Sequence, residues 1–286
     1  MIDRTIICIS DKGYKIGFTS RFPYFLDKVE GVYETSGEII SSSSANSIGE
    51  NYQGTHIPKR SITIIGYMQR DTGRDLRQNL YRSFPRRTFG EYHHYEGEIQ
   101  RKIRYQVESV KIVPSGIYHK FMINLICMNP NFTDFEFTDV SIGRWKALFH
   151  FDLIIPFDEG FMFGEKSESK IEVIENPTEF DWGLKVVLEA HDVVTNPYIH
   201  CIETGQRLTI NRIMPFGEVI EVTTGLHNKN IKQITPTGFN YRNNWLTHDS
   251  VFLQVGYGVN SFRVGAEDNE NQLSADISYM REYGAV

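Results

Sequence analysis

The chain has 286 residues, 40% of them hydrophobic, and a formal net charge of −6 from 36 acidic against 30 basic side chains. That length suits two domains with cores of their own. The acidic balance argues against free nucleic acid as a tight ligand, because phosphate binding needs concentrated lysine and arginine. The three cysteines, Cys8, Cys127 and Cys201, lie far apart in apolar or strand-like runs. They read as buried reduced thiols, and without a CxxC pair they do not suggest a thiolate zinc site. The first residues lack the basic and apolar regions of a secretory signal, and no apolar run approaches the ~18 residues of a membrane span. The expectation is a soluble protein made in a cytoplasm, with no membrane partner.

Taken in order, Thr5 to Ser10 and Tyr14 to Phe18 read as a hairpin around an Asp-Lys-Gly turn. From Gly37 the chain becomes polar, with Ser41 to Ser44 followed by Ala-Asn-Ser-Ile-Gly-Glu-Asn. Too little apolar surface remains to pack, which predicts a mobile loop or an arm that orders only against a neighbouring subunit. The residues of that candidate subunit-contact arm are Ser41, Ser42, Ser43, Ser44, Asn46, Gly49 and Asn51. Ser61 to Met68 then alternates, with Ile62, Ile64, Gly66 and Met68 on one face. A helix follows, capped by Asp71 or Thr72, burying Leu76, Leu80 and Phe84 and stopped by Pro85. Its outer face carries Arg70, Arg74, Arg77 and Arg82, continuing to Arg86 and Arg87, a candidate partner-facing basic patch.

Ile99 to Val113 and Tyr118 to Met128 form two long alternating strands around Pro114-Ser-Gly116. The acidic stretch from Thr133 to Ser141 reads as a linker, so the domains are placed at 1–133 and 134–286. The second half has no convincing helix. Short strands recur at Ile171 to Glu175, Leu184 to His191, Tyr198 to Ile202, Leu208 to Asn211, Glu218 to Thr223, Val251 to Val255, Asn260 to Val264 and Leu273 to Tyr279. Glu165 to Lys170 and Asn240 to Asp249 read as polar loops. This spacing signals a two-sheet antiparallel sandwich, and the whole chain is mainly β with one short helix.

Reactive constellations are scarce. Gly256-Tyr-Gly258 precedes a strand rather than the helix a dinucleotide site requires. His93 and His94 point to opposite faces of a strand and cannot chelate one ion together. His191-Asp192 has base-and-orienter chemistry but no nucleophile in a suitable turn. Asp134 and Glu136, two apart in an extended segment, share a face as a glycosidase pair would. His119, His150, His200, His227 and His248 lack ligand spacing. The expectation is no catalytic residue, no metal and no cofactor.

Several landmarks in order carry a resemblance. They are Ile57-Pro-Lys-Arg60-Ser-Ile-Thr-Ile-Ile-Gly66, the arginine-rich helix with Leu80 and Phe84, and Leu125-Ile-Cys-Met-Asn-Pro130-Asn-Phe132. Asn196-Pro197, Thr204-Gly205, Gly217-Glu-Val-Ile-Glu-Val-Thr-Thr-Gly225, Gly258-Val-Asn260-Ser-Phe and the ending Ile277-Ser-Tyr-Met-Arg-Glu-Tyr-Gly-Ala-Val286 follow. Together they span nearly the whole chain, and their order resembles the distal tail protein (Dit) family of long-tailed bacteriophages. The resemblance implies an N-terminal tail-tube-like β-barrel or sandwich and a C-terminal galectin-like β-sandwich, with the last strand able to pack back on the first domain. It further implies a hexameric ring, formed alone or with partners, that joins the tail tube protein to the tip. A tail-associated tip protein and receptor-binding or baseplate proteins would dock on it. Genome DNA would pass through the lumen without specific binding, so acidic or neutral residues are expected to face the channel. The location implied is the virion tail tip, assembled in the host cytoplasm.

Two rival readings compete. A galectin-like sandwich could bind cell-wall polysaccharide directly through Trp145, Trp182 or Trp245 as an exposed aromatic platform. A glycoside hydrolase would use Asp134 and Glu136.

Overall fold

The structure, a computed structural model, describes residues 4–43, 48–69, 75–142, 145–146, 165–166, 170–226 and 228–286. The chain divides into two compact units, Met1–Phe135 with Glu282–Val286, and Glu136–Arg281.

Among its described residues the first unit is a main antiparallel sheet, a separate two-stranded hairpin and one α-helix. Its elements begin with β1 (Arg4–Ser10), β2 (Lys15–Phe18), β3 (Tyr24–Glu30), β4 (Glu38–Ser42), β5 (Asn51–His56) and β6 (Arg60–Gln69). They continue with α1 (Leu76–Ser83), β7 (Phe89–Glu96), β8 (Ile99–Ser115), β9 (Tyr118–Cys127) and β10 (Phe132–Thr133). The main sheet runs β2-β1-β7-β8-β9-β6-β3. Its two ends are consecutive in the chain and meet where the Leu26 amide donates to the Thr19 carbonyl at 2.7 Å, so the sheet curls toward a barrel. Strict alternation sends Ile62, Ile64 and Met68 of β6 and Phe121, Ile123, Leu125 and Cys127 of β9 into one core. Each such fully buried side chain contributes roughly 1.5–3 kcal/mol. Phe18 sits at the centre of this core, 5.4 Å from the Phe121 ring and 6.2 Å from that of Phe84.

The helix lays Leu76 and Leu80 on this core, and Phe84 follows them. It opens later than the sequence suggests. Asp75 occupies the cap position without a side-chain bond, while Asp71 and Thr72 lie outside the described residues. The Tyr24 hydroxyl pins the first turn by donating to the Leu76 carbonyl at 2.8 Å. The expected serine-rich loop is also different. Glu38–Ser42 and Asn51–His56 pair as a two-stranded hairpin, because backbone hydrogen bonds alone can order a strand that has no apolar alternation. The terminal strand, Glu282–Tyr283, pairs with β10 inside this first unit.

The second unit holds β11 (Thr138–Ile142), β12 (Trp145–Lys146), β13 (Glu165–Lys166), β14 (Ile171–Asn176), β15 (Trp182–Ala190) and β16 (Val194–Thr195). Then come β17 (Tyr198–Cys201), β18 (Arg207–Thr209), β19 (Ile213–Met214), β20 (Val219–Gly225), β21 (Asn228–Thr235) and β22 (Gly238–Tyr241). The last are β23 (Gln254–Val255), β24 (Gly258–Gly265) and β25 (Leu273–Tyr279). One sheet runs β11-β25-β15-β20-β21-β22, with β23 on β15, and the second runs β14-β24-β17-β18. Leu184, Val186, Leu188, Ile220, Val222 and Ile277 of the first sheet share a core with Ile174, Ile199, Phe262 and Val264 of the second.

Three details differ from expectation here. Residues 251–253 are irregular and only Gln254–Val255 is a strand; here the Ser250 hydroxyl bonds Thr209 and Thr247, and the Val251 amide donates to the Arg207 carbonyl. Part of the expected 240–249 loop is strand, since β21 and β22 form a hairpin through Gly238. Glu165–Lys166 is a short strand paired with Trp145–Lys146, and residues 167–169 lie outside the described set.

Candidate functional site

The feature that stands apart is the hairpin of β4 and β5, which pair with each other and with no other described strand. The register places Ile39 opposite Thr55 and Ser41 opposite Tyr52, with an irregularity between Ile40 and Ser41. Ile39, Ser41, Tyr52 and Thr55 therefore share a face, and the Tyr52 hydroxyl lies 2.8 Å from Thr55 Oγ1. On that face Ile39 is 72% exposed and Tyr52 68%. Of the predicted arm residues, Ser41 and Ser42 lie in β4, Asn51 in β5, and Ser43 and Gly49 beside them. Ser44 and Asn46 lie outside the described residues.

The base of the hairpin is held by Arg60, a residue the sequence reading used only as a landmark. Its guanidinium donates to the carbonyls of Pro130 (2.7 Å), Gly31 (2.7 Å), Glu34 (2.8 Å) and Gly284. Burial pulls its pKa down from the ordinary arginine value. The acceptor Gly31 sits at φ +83°, and a Cβ there would run into the Ser61 carbonyl, so the turn needs glycine. Arg101 holds the same terminal segment, donating to the Ala285 carbonyl with its guanidinium 3.7 Å from the Tyr283 ring centroid.

A second cluster centres on Glu96. One carboxylate oxygen accepts from Arg4 Nη2 at 3.1 Å; the other accepts from the Tyr33 hydroxyl at 2.5 Å and lies 3.2 Å from His94 Nε2. The Arg4 and Tyr33 bonds hold the Glu96 carboxyl down to about 2. Burial and the Glu96 bond push the Tyr33 phenol up to about 12. Burial lowers the His94 imidazole, whose Nδ1 lies 3.0 Å from the Tyr92 hydroxyl. The neutral ring is thus satisfied on both nitrogens. His93 turns the other way, to Glu91 at 3.0 Å. Cross-strand register brings Arg4 opposite Glu96, which local sequence spacing could not reveal.

Of the predicted basic patch, Arg77 and Arg82 lie exposed on α1, with Arg86 and Arg87 in the turn after it. Arg70 and Arg74 lie outside the described residues. The end of α1 and a bulge in β8 between Val107 and Ser109 enclose a groove of about 490 Å³. Tyr81, Phe84, Pro85 and Arg86 line one side; Val107, Glu108, Ser109 and Val110 line the other.

The catalytic candidates do not assemble. Residues 134–137 are irregular rather than a strand, so the period-two argument that aligned Asp134 with Glu136 does not apply. His191 Nε2 bonds Ser274 Oγ at 2.9 Å, and Asp192 accepts from the Val193 amide, so the two do not pair. Gly256 and Gly258 lead into β24, where the Asn260 side chain bonds the turn's backbone. No group of three or more potential metal-ligating side chains exists among the described residues. No described helix is long and apolar enough to cross a membrane. Cys8, Cys127 and Cys201 are free and buried, and burial pushes the Cys127 thiol up to about 12.

Nor do the tryptophans form a sugar platform among the described side chains. Trp182 is fully buried, stacked at 5.7 Å on Tyr279, its Nε1 donating to Thr178 Oγ1 at 2.9 Å. The indole of Trp245 lies under the guanidiniums of Arg212 (4.8 Å) and Arg242 (5.5 Å). Arg212 is in turn fixed by a two-pronged ion pair to buried Glu218. The side chain of Trp145, like His150 and His227, lies outside the described set.

No protein-family profile matches the sequence, and no curated protein does. Solved structures do. The Dit (gp 19.1) protein of SPP1, described as a paradigm of the hub adsorption apparatus in phages infecting Gram-positive bacteria, superposes with a TM-score of 0.70. The alignment covers 97% of this chain and 99% of that one, at 12% identity. A chain of the phage P2 baseplate in its activated conformation with calcium gives 0.59, at 9% identity over 100% of both chains. The same baseplate with strontium gives 0.58, at 9% identity over 99% of both. At such identities the likeness is one of fold, and it runs end to end: this mainly β chain shares its fold with the SPP1 Dit protein over nearly the whole of both chains.

Proposed function

We propose that this chain is a structural hub of a bacteriophage or prophage tail tip, six copies closing into a ring that joins the tail tube to the tip. The observation that carries the reading is the full-length likeness to the SPP1 hub protein. The first unit forms the ring and meets the tail tube protein. The second docks receptor-binding, baseplate or tail-associated tip proteins. DNA passes through the lumen without specific binding, which the net charge of −6 favours. The role is architectural, exercised at the virion tail tip after assembly in the host cytoplasm.

Ring closure by identical chains needs two different patches, one meeting the other on the next copy. The β4–β5 hairpin supplies one. A lone two-stranded hairpin is marginal in water, and this one displays Ile39, Ile40 and Tyr52 to solvent. Cover from a neighbouring copy resolves that conflict. Replacing residues 39–55 with a short glycine-serine linker should shift the assembly to monomer while the circular dichroism of the fold persists. A ring of unchanged mass would remove the hairpin from the contact.

A further inference from the structure

We infer that the hairpin of one copy seats in the groove between α1 and the β8 bulge of the next copy. Ile39 and Tyr52 enter the groove, and the hairpin glutamates face Arg82, Arg86 and Arg87. The inference rests on the ring reading above and names the second of the two surfaces that reading needs.

Three observations converge on this pairing. The first is shape and polarity. The hairpin offers two large apolar side chains on one face. The groove offers Tyr81 and Pro85, over the buried Phe84, against the partly buried Val107 and Val110, with about 490 Å³ to fill. Large aromatic and aliphatic anchors entering a preformed pocket are how most interfaces gain their affinity.

The second is charge. From Tyr33 to His56 the chain carries Glu34, Glu38 and Glu50 and no lysine or arginine. Arg86 lines the groove, and exposed Arg82 and Arg87 flank its lining residues in the chain; none of the three is in an ion pair with another described residue. Glu108 is the acid on the groove wall, set against Arg86 in the lining and the neighbouring Arg82 and Arg87. Opposite fields of this kind steer association and fix its register.

The third is topology. Both surfaces belong to the first unit, yet among the described strands β4 and β5 pair only with each other. A hairpin-to-groove contact is heterologous, so it propagates from copy to copy until rotation closes the ring, whereas a self-complementary patch would stop at a dimer.

The test mixes two variants of the full chain, each with one added cysteine, Ile39→Cys and an affinity-tagged Ser109→Cys. Ser109 lines the groove and is exposed, and the three native cysteines are buried, so their background is low. Under mild oxidation the mixed disulfide, recognised by its mass, should exceed that of a control pair, Ile39→Cys with Val173→Cys of the second unit, by at least about tenfold. As a second arm, Arg82→Glu with Arg86→Glu should raise the concentration of half-assembly by at least about tenfold. Cross-linking no better than the control, in a chain that still forms rings, overturns this contact and leaves the ring reading standing. Unchanged assembly of the charge-reversed chain does the same. A chain that stays monomeric at every attainable concentration overturns both. Should the charge-reversed chain fail to fold, the cysteine pair decides alone.

Discussion

Trp182 separates a scaffold from a sugar-binding module, because the two readings demand opposite behaviour from it. Its indole is fully buried between the sheets of the second unit, stacked on Tyr279 and bonded through Nε1 to Thr178. Trp182→Ala empties that space. Deleting a buried aromatic of this size costs about 3–5 kcal/mol, including the cavity left behind. The lost indole hydrogen bond adds about 1 kcal/mol; Thr178 keeps its bond to Asn176 Oδ1 at 2.8 Å, so no second group is orphaned. Against a domain stability of about 5–15 kcal/mol this is a large fraction. A unit of this size loses roughly 2–4 °C per kcal/mol, so its melting transition should fall by roughly 8–24 °C. Differential scanning calorimetry of the full chain reads this directly, without using the tryptophan signal being removed. Trp182→Phe, which keeps much of the apolar surface, should fall about halfway. A Trp182→Ala chain that melts with the wild type but loses binding to cell-wall polysaccharide would refute the reasoning and revive the glycan reading.

Other perturbations reach the first unit. The Glu96 carboxyl is held at about 2 by Arg4 and Tyr33, below its ordinary value of 4.5. A depressed folded-state pKa stabilises above the unfolded value and is lost as pH falls, so acid should weaken this unit between about pH 5 and 2. Glu96→Gln should be less stable at pH 7 and show a shallower acid slope in urea titrations across that window; an unchanged slope would remove Glu96 as its source. Arg60→Lys should cost about 2 kcal/mol, because one ammonium cannot reach the four carbonyls that the planar guanidinium spans. Chemical denaturation checks it, and a loss under about 0.5 kcal/mol would show that the clamp is weak.

Much of the fold was legible because period-two alternation is strong where a strand has one buried face. Residues 99–113 and 118–128 announced β8 and β9 nearly to their ends, and Leu76, Leu80 and Phe84 announced the helix. The hairpin was not legible as strands. Its residues have no buried face, so alternation carries no signal, and only its polarity hinted at something set apart. Residues 228–235 were missed for a related reason: β21 lies on the way to the sheet margin and carries asparagine and lysine where an interior strand would carry valine. The clamp made by Arg60 and the cluster around Glu96 join residues up to 224 positions apart. Nothing local marks which arginine will meet which acceptor. A core place was the commoner expectation for any one tryptophan, and Trp182 takes it, but the sequence does not mark which tryptophan that is.

The most direct test of the ring is the native mass of the intact chain by light scattering across a concentration series. The account predicts a species of about 200 kDa built from 33.1 kDa chains. A mass of one chain throughout the series, with the hairpin intact, would contradict it.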